Sequence, residues 1–151
     1  MKIKTFLALL LLVIVGCSCS KTSNSNVENI SFSQIGKGYL YGKGIENIPK
    51  GNIVLSTQKD FDILIEKMDK YNITSKSFHK TNIDFNNFKV IAVFSEVKGY
   101  LPAPIEITKI IDNGEDIIVT VKEEEKGDIP TMNQSFHIVT IPYTNKRIMF
   151  N

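Results

Sequence analysis

Apolar and polar positions alternate along Ile30-Ser31-Phe32-Ser33-Gln34-Ile35, the pattern of a half-buried strand. Ile53-Val54-Leu55 predicts a short buried strand. The period then changes. Phe61, Leu64, Ile65 and Met68 fall at helical spacing, with Lys59, Asp62, Glu66, Lys67 and Asp69 on the remaining faces. Ser56 or Thr57 is the cap, and Thr57 with Asp60 approximates a capping box. This helix ends near Tyr71-Asn72, and its stripe is a face for packing on a sheet. Phe88-Lys89-Val90-Ile91-Ala92-Val93-Phe94 is almost continuously apolar, as in a central strand covered on both faces. Ile105-Glu106-Ile107-Thr108 alternates, Asn113-Gly114 marks a hairpin, and Ile117 to Val121 returns antiparallel. Ser135 to Ile141 and Lys146 to Phe150 read as a last hairpin across Pro142-Tyr143-Thr144-Asn145. The sum is an α+β fold: a mainly antiparallel β-sheet with one amphipathic helix packed on a face.

Gly36, Gly38, Gly42 and Gly44 punctuate Tyr39-Leu40-Tyr41. Their spacing fits neither a dinucleotide fingerprint nor a phosphate loop, and no helix signal follows, so they read as turns and bulges beside an aromatic strand. No internal repeat divides the patterned region. Residues 27–151 form a single domain.

Ahead of it lies a leader. Met1-Lys2-Ile3-Lys4 is positive, and Phe6 to Val15 is an uncharged run of ten residues. A signal-peptide core has about 7–15 residues, whereas a membrane-spanning helix needs roughly 20. Ile14-Val15-Gly16-Cys17 resembles the lipobox of bacterial lipoproteins, which implies that residues 1–16 are removed and that Cys17 carries lipid. Cys19 is the weaker acceptor, because the residue three before it is Gly16 rather than an aliphatic. Ser18 to Asn26 has no aliphatic side chain to bury, so residues 17–26 read as a lipidated Cys and flexible tether. The expected location is the bacterial cell envelope, lipid-anchored. The absence of Asp after Cys17 favours the outer membrane.

The chain has 151 residues, with 18 Lys and Arg against 16 Asp and Glu. Losing Lys2 and Lys4 with the leader leaves 16 of each sign. A phosphate-tracking surface needs a basic excess, which disfavours nucleic acid as a partner. Two cysteines one residue apart exclude a disulfide scaffold and a cysteine zinc site. His79 lies in the loop after the helix; His137, between Phe136 and Ile138, is expected toward solvent or the sheet rim. No Gly-x-Ser-x-Gly elbow or His-x-x-x-His pair accompanies them. Glu123-Glu124-Glu125 reads as a solvated loop, without the spacing of a calcium site. These observations predict no catalytic residue, metal or cofactor.

A binding role centres on the segment Lys98, Gly99, Tyr100, Leu101, Pro102, Ala103 and Pro104, read as a loop from Glu96 onward that joins two strong strands. Two prolines stiffen it and remove backbone donors. Tyr100 and Leu101 then either form a preorganised apolar tip for a partner or fold back onto the core. Tyr39 and Tyr41 are further apolar anchors.

Val90-Ile91-Ala92-Val93-Phe94, the loop after it, and Ile105-Glu106-Ile107 with its hairpin resemble the C-terminal domain of the PrcB family. That family takes its name from a lipoprotein subunit of a protease complex. Gly38-Tyr39-Leu40-Tyr41-Gly42-Lys43-Gly44, Asn82-Ile83-Asp84-Phe85 and Asn133-Gln134-Ser135-Phe136-His137-Ile138-Val139 are similar to other family segments. The likeness runs over most of Ile35 to Phe150. The chain departs from the family at its Thr-Gly-Gly-Tyr turn, where Tyr100, Leu101, Pro102 and Ala103 stand. Residues that avoid positive φ replace glycines there, so the turn takes another path. The resemblance implies a membrane-anchored, non-catalytic accessory subunit for a secreted or surface protease or another envelope protein. A protease-inhibiting loop is a second reading, and an envelope lipid-handling protein a third.

Overall fold

The computed structural model describes residues 27–124 and 127–151. In chain order the elements are β1 (Glu28–Asn29), β2 (Ser33–Leu40), β3 (Gly51–Leu55), α1 (Gln58–Met68), a 3-10 turn (Thr74–Ser77), β4 (Phe88–Leu101), β5 (Glu106–Asp112), β6 (Asp116–Lys122), β7 (Ile129–Pro142) and β8 (Arg147–Phe150). The strands divide into two sheets, β2-β7-β4-β3 and β1-β5-β6-β8. Every neighbouring pair is antiparallel except β6 with β8. The α+β architecture read from the pattern is the one observed, with its strands split between two sheets.

The near-continuous apolar run of β4 places it at the centre of three layers. Because side chains alternate along a strand, Val90, Ala92 and Phe94 enter one core and Ile91 and Val93 the other. On the first side they meet the helix stripe Phe61, Leu64 and Met68. On the second they meet Ile105, Ile107, Ile110, Ile117 and Val119 from the other sheet. β7 repeats the division, with Phe136 and Ile138 toward the helix and Val139 and Ile141 toward the second sheet.

Local chemistry sets the ends of α1. The Thr57 hydroxyl accepts from the Asp60 N–H at 3.1 Å and donates to the Asp60 carboxylate at 2.7 Å, so the short capping box forms. The returning chain is tied to the helix start by Gln58, whose amide oxygen accepts from the Ile83 N–H at 2.9 Å. The Asn-Gly hairpin forms as expected between β5 and β6. Gly114 adopts φ 97°, and Asn113 Oδ1 accepts from the N–H groups of Glu115 and Asp116.

Four local readings are corrected. The strand read over Ile30 to Ile35 begins at Ser33, as β2, and continues through Gly36 and Gly38 to Leu40. Gly36 is there because the Phe78 ring occupies the space a Cβ would need. The strand at Ile53-Val54-Leu55 is a sheet edge with Leu55 alone fully buried, since α1 leaves before another strand can cover it. The segment from Glu96 to Leu101 is not a loop. It extends β4, pairing as far as Leu101 with Ile129, and register shifts between Phe94 and Val97 and between Lys98 and Tyr100 absorb its irregularities. Finally, Arg147 to Phe150 does not form a hairpin with β7. Both edges of β7 are taken by β2 and β4, so the chain crosses to the other sheet and pairs in parallel with β6. Lys146 on Asp112 at 2.6 Å and Arg147 on Asp116 at 2.8 Å hold it there.

Candidate contact surface

Beyond β4 the chain passes from one sheet to the other through Pro102, Ala103 and Pro104. Asn133, Ser135 and His137 alternate along β7, which points all three at this crossover. Asn133 Nδ2 donates to the Tyr100 carbonyl at 2.6 Å. The Ile105 N–H donates to Ser135 Oγ at 3.2 Å, and the Ile107 N–H to His137 Nδ1 at 2.9 Å. The Tyr39 hydroxyl on β2 donates to the Pro102 carbonyl. Lys37, the cross-strand neighbour of His137, pairs with Glu106 at 2.8 Å. The proline segment is thus fastened to β2 and β7 of the first sheet as it crosses to the second.

His137 is consequently not at a solvent-facing rim; it is 2% exposed. Its position is explained by β5, whose first N–H groups need acceptors that β1, reaching only Ile111 and Asp112, does not supply. Burial foremost, then the Lys37 ammonium, lowers the imidazole pKa to about 4, while Glu106 acts in the opposite direction. The ring is neutral at physiological pH. Since Nδ1 accepts from Ile107, the network assigns the proton to Nε2, which is buried without a protein partner.

At the other end of the segment Lys98 is 5% exposed. Its ammonium lies 2.8 Å from Glu123 Oε1, donates to the Glu124 carbonyl at 3.0 Å, and sits over the Tyr100 ring. Lys50 reaches the other Glu123 oxygen at 3.1 Å. Burial works to raise the Glu123 pKa, but the hydrogen bonds from Lys98 and Lys50 outweigh it and the net shift is downward. Glu123 is therefore drawn into an ion cluster rather than solvated as expected. Glu124 is exposed, and Glu125 lies outside the described residues. A cleft of about 310 Å³ is lined by Lys50, Glu96, Lys98, Tyr100 and Glu123.

Of the segment itself, Lys98 and Pro102 are buried, Tyr100, Leu101 and Pro104 half-buried, and Gly99 and Ala103 exposed. It does not project as a tip. Instead it borders an apolar end of the molecule that the sequence reading largely missed. Ile129, the cross-strand partner of Leu101, is 58% exposed, and Met132, whose sulfur lies over Gly99, is 43% exposed. Val97 faces Gly44 in the turn after β2, where Ile45 and Tyr41 are also exposed. That turn is fixed by Lys43 and Asn47 at φ 55° and 53° and by buried Glu46, which accepts from the Gly42 N–H at 2.8 Å. The available signal was apolar residues interrupting polar runs, as in Glu96-Val97-Lys98 and Thr131-Met132-Asn133.

Cys17 and Cys19 lie outside the described residues. His79 is exposed, and among the described residues no group of His, Cys, Asp or Glu is arranged to hold a metal. None of the described helices is long and apolar enough to cross a membrane. No protein-family model, curated protein or solved structure matches the chain.

Proposed function

We propose that this protein is a non-catalytic interaction domain, tethered to the bacterial envelope by lipid on Cys17, that serves as an accessory subunit to another envelope protein. The PrcB resemblance makes a secreted or surface protease the preferred partner. The observation carrying this reading is the apolar end formed by Tyr41, Ile45, Val97, Ile129 and Met132 beside the fastened segment 98–104. Val97, Ile129 and Met132 are held on paired strands and lose little entropy on docking, and Tyr41 and Ile45 extend the surface from the turn after β2. A mature chain with equal numbers of the two charges gains little from electrostatic steering, so affinity rests on such anchors. The path of residues 100–107, fastened to β2 and β7, offers no projecting wedge for a protease cleft, which supports the accessory reading over inhibition.

The test is crosslinking in intact cells followed by mild detergent extraction, comparing the natural chain with the double variant Ile129→Lys, Met132→Lys. The natural chain is expected to retain a defined partner and the variant to lose it. Identical recovery by both chains would remove this surface from the account. Recovery of Cys17→Ala in the membrane fraction at the natural level would remove the anchor.

A further inference from the structure

We propose that Ser135 and His137 on β7 form an acid-released latch: protonation of His137 detaches the crossover, residues 102–107, from β7 and draws Ile105 and Ile107 from the edge of the second core, while the helix-side core and the β2-β7-β4-β3 sheet stay intact. The proposal stands on a hydrogen bond that is possible in only one charge state. A neutral imidazole has one acceptor nitrogen, and here the Ile107 N–H occupies it at 2.9 Å. An imidazolium has a donor at each nitrogen and no acceptor, so the contact becomes donor against donor. Nε2 offers no relief, being buried without a protein partner.

The charged groups facing the ring are Lys37 from β2 and Glu106 from β5. β4 contributes apolar Val93 at the cross-strand position. The Lys37 hydrogen bond is the leading cause that lowers the Glu106 pKa. Burial holds the His137 pKa at about 4 in the closed form, so in a mildly acid range the ring takes up its proton as the crossover opens and its ordinary affinity, near 6.5, returns. Lys37 repels the new charge from within the sheet, while Glu106, on the element to be released, attracts it and leaves with the crossover.

Local geometry makes release separable from unfolding. β1 pairs with β5 at Ile111 and Asp112, so the N–H groups of Ile105 and Ile107 depend on the Ser135 and His137 side chains. Ala103 is exposed and Pro104 half-buried, so release starts there, and it exposes Pro102, Ile105 and Ile107, which are buried in the closed form. Its movement would alter the border of the apolar end, since Leu101 and Pro102 lead into it.

Amide exchange of the complete domain tests this, read as protection factors so that the intrinsic pH dependence cancels. Protection of Ile107 is expected to fall about thirtyfold from pH 7.5 to 5. At pH 5 it should exchange about tenfold or more faster than Val93 and Ile138, with little sensitivity to low guanidinium. The variant His137→Asn keeps an acceptor near the Nδ1 position without titrating, and should abolish the pH dependence at Ile107. Exchange of Ile107 in step with the core amides at every pH would overturn the latch, as would an unchanged pH profile in His137→Asn. Should that variant not fold, the ring and the Ile107 amide of the natural chain are followed by NMR. A shared midpoint supports the proposal; a ring that titrates while the amide signal stays still refutes it.

Discussion

Ser135 shows how much a single hydroxyl carries when it replaces a strand partner. Its oxygen accepts the Ile105 N–H, and its own N–H donates to Ser95 Oγ at 2.9 Å. Ser135→Ala would leave a buried donor unsatisfied, at a cost of about 1–3 kcal/mol, measurable as a lower urea midpoint. Phe136, one residue on, faces the opposite core between Phe78 and Phe94, with ring centroids 6.0 and 6.3 Å away. Phe136→Ala is expected to destabilise by about 3–5 kcal/mol, with the urea slope unchanged. The alternation through Ser135, Phe136, His137 and Ile138 was legible as a strand with one polar side. Which way that side faced was not, because polar side chains on a strand face solvent unless another backbone needs them, and that backbone came from β5.

At the level of elements, propensity and capping served well where contacts are local. Thr57→Ala should lower stability by about 1 kcal/mol by removing the cap of α1, and thermal unfolding would show it. Gly114→Ala, forced to φ 97°, should lose about 1–2 kcal/mol, a change that a thermal melt also detects. Both positions were identifiable from a few neighbouring residues. Strand ends fared differently. Glu96, Gly99 and two prolines signalled a loop, yet fourteen-residue β7 offers Asn133 to Ile129 as partners and carries β4 on to Leu101. The last strand went astray for a related reason. A short connection predicts a hairpin only when the preceding strand has a free edge, and β7 has none.

For the whole molecule, the buried imidazole predicts acid sensitivity with a definite sign. The His137 pKa is about 4 in the folded chain, below the ordinary 6.5, so the unfolded chain binds the proton more tightly. Above pH 6.5 this contribution is level. As pH falls toward 4 it withdraws about 3 kcal/mol of stability, which denaturant titrations at pH 7.5 and 4.5 would resolve against His137→Asn. The apolar end predicts a separation of stability from binding. Replacing exposed Ile129 and Met132 by Lys should leave stability within about 0.5 kcal/mol while partner recovery falls, and parallel melts and crosslinking would establish both.

The amino-acid order alone determined the α+β class, the helix and its buried stripe, the central strand and the Asn-Gly hairpin, since each depends on periodicity or on neighbours a few residues apart. It also marked Lys98 to Pro104 as unusual. Only the tertiary structure decided that the strands form two sheets, that β8 joins the second, and that the proline segment is fastened to β2 and β7. These outcomes depend on which edges remain free and which backbone groups still need a partner once the layers have packed, and contacts between residues as distant as Tyr39 and Pro102 settle them.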